Sequence, residues 1–203
     1  MPTLTVIAGC NGSGKSTFAS SFLREGLVSF DYDKVYLHIY SSLQECEFRD
    51  EMARNMTTQL FEEQVKESLN HKLDFCYETN FDTFPLHWPE IYKEQGYTLN
   101  MIFFCLDNQE IARERVLVRS EFHGHFVDNE TIDLKWKEGY KNLNLYHSFF
   151  DRILFVDNSV NNEVYTNLLQ IEDGETQLMC EQLPDYFSRR FPDIYLHIRS
   201  QLL

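Results

Sequence analysis

A glycine-rich loop at residues 9–16 constrains the fold of this chain more than any other feature. The segment reads GCNGSGKS and matches G-x-x-x-x-G-K-[ST] at every fixed position. A short apolar run, residues 4–8, precedes the loop, and a helical pattern follows it directly. In a strand–loop–helix unit of this kind, the glycines let the backbone wrap closely around a phosphate, with its N–H groups directed at the anion. The sequence therefore predicts a phosphate-binding loop at the end of a strand.

The side chains of the loop predict its ligands. Lys15 is expected to reach the β- and γ-phosphate oxygens of ATP, and the Ser16 hydroxyl is expected to bind Mg²⁺. The other predicted ATP contacts in and beside the loop are Gly9, Asn11, Gly12, Ser13, Gly14 and Thr17. ATP and Mg²⁺ are therefore the predicted cofactors.

Apolar segments and helical patterns alternate along most of the chain. Strands are predicted at residues 4–8, 27–30, 74–77, 98–106 and 153–156, with helices near 50–70, 86–94 and 131–147. Strands separated by helices imply a mostly parallel sheet covered by helices on both faces. We therefore expect an α/β fold of the P-loop NTPase class, similar to the nucleoside monophosphate kinases. This fold would be a three-layer sandwich around a sheet of about five strands.

The C-terminal part, about residues 163–203, follows a different pattern. Residues 164–171 and 176–182 flank Asp173-Gly174, a favourable hairpin turn. A helical pattern from Phe187 to Ile198 follows, and it is expected to break at Pro192. Since 203 residues suit one α/β domain, residues 1–203 are predicted to form a single domain with this hairpin and helix attached.

Polar residues follow the predicted strands at their carboxyl ends, where ligands bind in open parallel sheets. Asp31 and Asp33 follow the second predicted strand, and the others are Glu78, Thr79 and Asn80 after the third and Asn158 after the fifth. Carboxylates in such positions can hold an acceptor hydroxyl and take its proton.

Asp107, which follows the most apolar strand, has two interpretations. With Glu110 it fits a capping box for the next helix, and this interpretation is favoured. The alternative is a Walker B aspartate at the nucleotide site.

The charge of the chain limits its partners. With 18 Lys and Arg against 32 Asp and Glu, the formal net charge is −14, which repels nucleic acid and anionic membranes, so neither is expected as a partner. One stretch is nevertheless basic, with Arg113, Arg115, Arg119, Lys135, Lys137 and Lys141. This stretch is either a local site for a small, highly charged ligand or a solvated helix face, and composition does not decide between them.

The cysteines and the hydropathy pattern bear on location. The five cysteines have no CxxC spacing, which favours reduced thiols in a reducing compartment and disfavours zinc. The sequence has neither a signal-peptide pattern nor an apolar run of about 20 residues, so a cytoplasmic location is expected.

The function class follows from the acids and bases beside the loop. The Asn-Lys-x-Asp motif of regulatory GTPases is not found in the sequence. Acids at two strand ends, followed by a basic segment, are the arrangement of a small P-loop kinase, in which acids activate a hydroxyl and cations neutralise the transferring phosphoryl group. The sequence thus predicts ATP-dependent phosphorylation of a hydroxyl on a small molecule.

About residues 4–160 resemble the zeta toxins and their P-loop kinase relatives. Five segments carry the resemblance: residues 7–17, Asp31-Tyr32-Asp33, Tyr77-Glu78-Thr79-Asn80, Arg115-Val116-x-x-Arg119 followed by His123-Gly124-His125-x-Val127, and Val156-Asp157-Asn158-Ser159. Studied members of this family phosphorylate UDP-N-acetylglucosamine. The resemblance therefore implies that acceptor, and it also implies an antitoxin as a protein partner.

The resemblance also implies roles for individual residues. Asp33 would be the general base, Arg119 would reach the γ-phosphoryl group, and Asn158 would line the adenine pocket. Glu78 and Thr79 would contact the acceptor or a metal-bound water, and Asp31 and Asn80 would complete the acceptor site. A lid at about residues 119–131 would act with Arg115, His123, His125 and Lys135.

Two departures from the family pattern concern the acceptor. Lys135 stands where relatives usually carry arginine, and it keeps the charge without the bidentate fork. Asp31 stands where relatives often carry asparagine, so a second carboxylate lies beside Asp33. Three alternatives therefore stay open: a metabolic or salvage kinase for another acceptor, a toxin held inactive by an antitoxin, and a nucleotide-binding module without catalysis.

Overall fold

The computed structural model describes residues 1–121, 127–161 and 164–202, and six strands within these ranges form one sheet. The strands are β1 (Thr3–Ala8), β2 (Phe75–Thr79), β3 (Thr98–Cys105), β4 (Arg152–Asp157), β5 (Thr166–Glu172) and β6 (Glu175–Leu178). Their order across the sheet is β2-β1-β3-β4-β5-β6. The first four strands are parallel, and β5 and β6 extend the same sheet in antiparallel fashion.

Helices connect the strands. They are α1 (Lys15–Phe18), α2 (Tyr32–Ser42), α3 (Arg49–His71), α4 (His87–Glu94), α5 (Gln109–Glu121), α6 (Asn129–Tyr146), α7 (Asp185–Arg190) and α8 (Pro192–Leu202). The helix after the glycine-rich loop is short, since α1 passes into a 3₁₀ turn at Ala19–Phe22. Within the part of the chain described, no helix is both long and apolar enough to cross a membrane.

Alternate residues of β3 enter two separate cores, because parallel strands are buried on both faces. Leu99, Met101 and Phe103 belong to the larger cluster, which α3, α4, α6, α7 and α8 cover. Ile102 and Phe104 belong to the smaller cluster, under the 3₁₀ turn that follows α1. The predicted three-layer α/β sandwich is therefore confirmed.

The predicted strand at residues 27–30 is wrong. Only Phe30 pairs with the sheet, through one bridge to Tyr77 in which the Phe30 N–H donates to Cys76 O and the Glu78 N–H donates to Phe30 O. Phe30 is buried, whereas Val28 is 81% exposed, so the segment has one inward anchor rather than a buried face. The chain then enters α2 at once, which makes Asp31 a helix cap rather than a strand end.

The predicted capping box of Asp107 and Glu110 is also wrong. The helix α5 begins at Gln109, so its N-cap is Asn108, one residue after Asp107. The Ile111 N–H donates to Asn108 Oδ1 at 3.1 Å. Asparagine and aspartate are both good N-caps, so the pattern alone could not choose between adjacent positions.

The hairpin prediction is confirmed, although the strands are shorter than expected. Asp173 and Gly174 both have positive φ, 50° and 84°, as a type I′ turn requires. Glu172 and Glu175 pair directly across the turn. Pro192 is the first residue of α8 and separates it from α7, at a position where its missing N–H is tolerated.

The C-terminal helices are anchored by Phe191, which is fully buried and contacts the rings of Phe103, Tyr140, Phe155 and Phe187. We expect Phe191→Ala to lower the free energy of unfolding by about 3–5 kcal/mol, because it leaves a cavity between α6 and the sheet. Leu196→Ala, on the same tail but 65% exposed, should change it by less than about 0.5 kcal/mol. Urea unfolding of both variants checks this, and equal losses would contradict a core role for the tail.

Candidate functional site

A cavity of about 790 Å³ lies at the carboxyl ends of the parallel strands. Its walls come from four places: the glycine-rich loop, the start of α2, the end of β2, and α5 together with residues 158–161. Because β1 lies between β2 and β3, the loop that follows β1 occupies the middle of the cavity. The start of α2 and the end of β2 lie on one side of this loop, and α5 with residues 158–161 lies on the other.

The loop is pressed between α5 and Asn158. A Cβ atom at Gly12, which has φ +78°, would lie 2.6 Å from the Ala112 carbonyl oxygen of α5, and one at Gly14 would overlap the Asn158 amide. The Asn158 Nδ2 donates to Ser13 O at 2.9 Å. The glycines thus allow a close approach of backbone to the helix and the strand end, which fixes the loop without any ligand.

The Lys15 ammonium folds back onto its own loop. It donates to Gly9 O at 2.7 Å and Cys10 O at 3.0 Å, and more weakly to Asn80 Oδ1 at 3.4 Å. Desolvation by burial lowers the pKa of Lys15, and the nearby Glu78 and Asp33 carboxylates act in the opposite direction. All three direct partners of the ammonium are neutral oxygens, so an anion in the cavity would be a stronger partner than any of them.

Two buried oxygens of the loop lack a protein partner in the described part of the chain. Asn11 Oδ1 and Ser13 Oγ have no hydrogen-bond partner within the described ranges. Buried polar atoms are normally paired, and an unpaired one in a native structure often marks a ligand or water site. The Ser13 hydroxyl can donate to a phosphate oxygen, whereas Asn11 Oδ1 only accepts and needs a donor such as water.

Ser16 and Glu78 form the second polar centre. The Ser16 Oγ donates to Glu78 Oε2 at 2.7 Å, and the Ser29 Oγ donates to Glu78 Oε1 at 2.9 Å. Burial raises the pKa of Glu78, and the charge of Asp31 raises it further. A hydroxyl and a carboxylate are suitable ligands for Mg²⁺, which usually takes one or two carboxylates together with substrate phosphates. Within the described ranges no group of three or more His, Cys, Asp and Glu residues could hold a metal by itself.

The first turn of α2 brings two more carboxylates to the cavity. The Asp31 side chain caps the helix by accepting from the Lys34 N–H at 3.1 Å, and Asp33 lies in the first turn. The Tyr32 hydroxyl contacts Thr58 Oγ1 at 2.8 Å and donates to Arg54 O at 3.2 Å, which ties this turn to α3. Asp33 is therefore held at the cavity by a capped helix braced against its neighbour.

The opposite wall carries the cations. Arg115 on α5 donates from Nε and Nη2 to Asn161 Oδ1 at 3.0 and 2.8 Å, and from Nη1 to Gly12 O at 3.4 Å. Arg119, one turn further along α5, also lines the cavity. Val118 and Val160 add apolar surface to this wall, and both are about half exposed.

Most of the predicted site residues meet in this one cavity. Those that line it are Asn11, Gly12, Gly14, Lys15, Ser16, Thr17, Asp31, Asp33, Glu78, Thr79, Asn80, Arg115, Arg119 and Asn158. Gly9 and Ser13 contribute their carbonyls to Lys15 and Asn158 instead. Lys135 and Asp107 do not line the cavity. His123 and His125 lie outside the described residues.

The basic stretch divides between two environments. Arg115 and Arg119 face the cavity, whereas Arg113 pairs with Asp133 and Lys141 pairs with Glu138 on the helix surface. The surface-helix interpretation therefore describes Arg113 and Lys141, whereas a ligand site at Arg115 and Arg119 stays a prediction.

Sequence reasoning missed several residues of the site. Ser29 and Asn161 contact Glu78 and Arg115, and neither belongs to a motif. Behind the cavity, Asn142 Nδ2 on α6 donates to Phe81 O and Asp82 O, and a side chain at Gly139 would overlap the carbonyl of Asn80. A glycine inside a long helix was the available signal, because it often marks a close backbone approach.

The parallel sheet, the glycine-rich loop after an inner strand and the cavity above it define a P-loop protein with a kinase-like α/β fold. The sequence model of the zeta toxin family matches residues 1–170. The chain belongs to the zeta toxin family. A search of the curated proteins finds no match to this sequence.

Solved structures share the fold at low sequence identity. A structure of the PezAT chromosomal toxin–antitoxin system of Streptococcus pneumoniae is 14% identical with a TM-score of 0.64, covering 100% of this chain and 88% of that one. A candidate kinase from Chloroflexus aurantiacus J-10-fl is 16% identical with a TM-score of 0.55, covering 80% and 91%. The AvrRxo1-ORF1:AvrRxo1-ORF2 complex with ATP is 11% identical with a TM-score of 0.63, covering 98% and 63%.

Gly12→Ala tests the packing of the loop against α5. Gly26→Ala is the matched control, because Gly26 also has positive φ, +85°, but open space around it. We expect the control to lose about 1–2 kcal/mol of stability from its backbone conformation and to keep nucleotide affinity. Gly12→Ala should lose more stability and should weaken ATP binding, measured by calorimetry. Equal behaviour of the two variants would refute the close approach.

Glu78→Gln tests the raised pKa. A carboxyl whose pKa is higher in the folded than in the unfolded state destabilises the fold when ionised. The nucleotide-free variant should therefore be more stable than wild type above the folded-state pKa of Glu78. This difference should shrink as the pH falls through that pKa and vanish below the ordinary value of 4.5. Thermal unfolding at pH 4 to 8 measures it, and a variant less stable at neutral pH would contradict the assignment.

Proposed function

We propose that this chain is an ATP-dependent phosphotransferase that phosphorylates a hydroxyl group of a small molecule. One observation carries the proposal: the phosphate-binding loop and the carboxylates of Asp31, Asp33 and Glu78 line the same cavity. A loop alone would fit any nucleotide-binding protein. Carboxylates opposite the loop supply what a kinase needs in addition, an acceptor site next to the γ-phosphate.

The nucleotide would bind with its phosphates in the loop. The Lys15 ammonium would exchange its carbonyl partners for β- and γ-phosphate oxygens, which compensate its charge better. Asn158 and the apolar surface of Val118 and Val160 would flank the base. The AvrRxo1-ORF1:AvrRxo1-ORF2 complex was solved with ATP, which supports nucleotide binding by this fold.

Ser16 and Glu78 fit the Mg²⁺ that accompanies ATP. When bound there, the ion supplies positive charge that offsets the phosphate charge. The Ser16 hydroxyl would turn from Glu78 toward the ion. Glu78 would then hold the ion directly or through water, while Ser29 keeps its bond to the other carboxylate oxygen.

The transfer step assigns separate tasks to Asp33 and Arg119. The acceptor oxygen attacks the γ-phosphorus, the bond from that phosphorus to the β–γ bridging oxygen breaks, and ADP leaves. The acceptor proton passes to the Asp33 carboxylate. Arg119 and Lys15 neutralise the charge on the transferring group, which is the main way in which proteins accelerate this reaction.

The proposal also includes a specific acceptor and a protein partner. UDP-N-acetylglucosamine is the acceptor that the family resemblance suggests, and it is the reference compound of the test below. An antitoxin is the proposed protein partner, supported by the toxin–antitoxin system of the Streptococcus pneumoniae relative. The free thiols of Cys10, Cys76 and Cys105 are buried, which supports a reducing, cytoplasmic location.

Acceptor-dependent ADP release tests the proposal. Purified protein with ATP and Mg²⁺ should release ADP when a panel of sugars, nucleosides and small alcohols is added. Lys15→Ala should lower this rate by about 10²–10³-fold and Asp33→Asn by about 10²–10⁴-fold. Asp185→Asn, which removes an exposed first-turn carboxylate from α7, should leave it unchanged. Tight ATP binding without acceptor-dependent ADP from any panel member would favour a binding module without catalysis.

A further inference from the structure

We propose that Asn142 is a positioning residue for the phosphoryl transfer. From α6 it holds the segment at residues 79–82, which presents the side chains of Thr79 and Asn80 to the acceptor. This inference rests on the proposed function, since it concerns the support of the acceptor half of the same cavity. Asn142 itself is not among the residues that line the cavity.

The segment after β2 contains a residue in a strained conformation. Phe81 has φ +59°, which a bulky side chain rarely adopts, and its buried ring packs against Phe150 at 5.9 Å. The Phe81 N–H donates to Thr79 Oγ1 at 3.0 Å, within the same segment. A conformation of this kind persists only where the surrounding structure imposes it. The segment therefore depends on contacts from other elements.

The helix α6 supplies these contacts from behind the cavity. Gly139 and Asn142 lie three residues apart, on one face of the helix. A Cβ atom at Gly139 would lie 2.5 Å from Asn80 O, so glycine allows the close approach. The Asn142 Nδ2 donates to Phe81 O at 3.0 Å and to Asp82 O at 2.5 Å. Three successive carbonyls of the segment thus face α6, and the buried amide of Asn142 holds two of them.

The side chains of the same segment belong to the cavity. Thr79 and Asn80 line it, and Asn80 Oδ1 accepts from Lys15 Nζ at 3.4 Å. Because their backbone is held by α6, the placement of these side chains depends on Asn142. The glycine-rich loop has different supports, α5 and Asn158. Loss of the Asn142 amide should therefore disturb the acceptor half of the cavity and spare the phosphate half.

Asn142→Leu removes the donor with little change in side-chain size. Asn144→Leu is the matched control, because Asn144 lies on the same helix but bonds to α8 instead. Its Nδ2 donates to Asp193 Oδ2 at 2.7 Å, and its Oδ1 accepts from the Asp193 N–H at 3.0 Å. Both variants should lose stability, since both lose hydrogen bonds. Asn142→Ser keeps one donor, so it should give intermediate effects, and it replaces Asn142→Leu if that variant does not fold.

Amide hydrogen exchange, followed by mass spectrometry, measures the positioning without any ligand. In Asn142→Leu the peptide that contains residues 80–84 should exchange at least about tenfold faster than in wild type, because local opening becomes easier. In Asn144→Leu the same peptide should exchange at the wild-type rate.

Steady-state ADP release measures the effect on the reaction. UDP-N-acetylglucosamine is the first acceptor, and the most active compound of the panel replaces it if it is not accepted. Asn142→Leu should lower kcat/KM for the acceptor by about 10–100-fold, since a small displacement of a positioned group is costly. The KM for ATP should stay at the wild-type value. Asn144→Leu should change neither constant at a temperature at which all variants are folded.

Three outcomes would overturn the proposal: unchanged exchange of residues 80–84 in Asn142→Leu, a loss of kcat/KM no larger than in Asn144→Leu, or an equal rise in the KM for ATP. Failure of the proposed function has a different signature, because wild-type protein would then release no acceptor-dependent ADP. The exchange measurement needs no acceptor, so it decides in either case whether Asn142 holds the segment.

Discussion

The bonds of the Lys15 ammonium connect the parts of this site. The ammonium is held by two carbonyls of its own loop and by the Asn80 amide oxygen, none of which carries a charge. Desolvation lowers its pKa, so the site is poised to gain from an anion. The same three bonds join the loop after β1 to the end of β2. The glycine-rich loop and the end of β2 therefore share a single side chain, and any ligand that draws Lys15 away also releases Asn80.

Local chemistry determines the features that the sequence predicts well. The glycine-rich loop, the Asp173-Gly174 turn and the break at Pro192 each depend on a few adjacent residues with restricted backbone preferences. The alternation of strands and helices can be predicted from the periodicity of apolar residues, and it implies a parallel sheet covered by helices on both faces. The carboxylate of Glu78 could be assigned to the edge that carries the loop from this alternation alone, because carboxyl ends of parallel strands meet at the same edge of a sheet, whereas Asp33 lies at the start of a helix and not at a strand end.

Features that depend on contacts between distant residues could not be predicted in this way. Residues 27–30 have strand-like composition, but a strand also needs a partner along its length, and only Phe30 finds one. Arg115 is held by Asn161, which is 46 residues away, and no local pattern links them. Lys135 carries a charge at a position suggested by family resemblance, yet it is not among the residues that line the cavity.

The approach of α6 to the end of β2 connects the C-terminal tail to the cavity. Gly139 leaves room for the Asn80 carbonyl, Asn142 holds the next two carbonyls, and the neighbouring Tyr140 packs on Phe191 at 5.1 Å. A continuous series of contacts thus runs from residues beyond the family match at 170 to the amide that binds Lys15. The tail thus packs behind the cavity, so chains that differ only in this tail would share every residue of the cavity lining and still differ in how rigidly Asn80 is held.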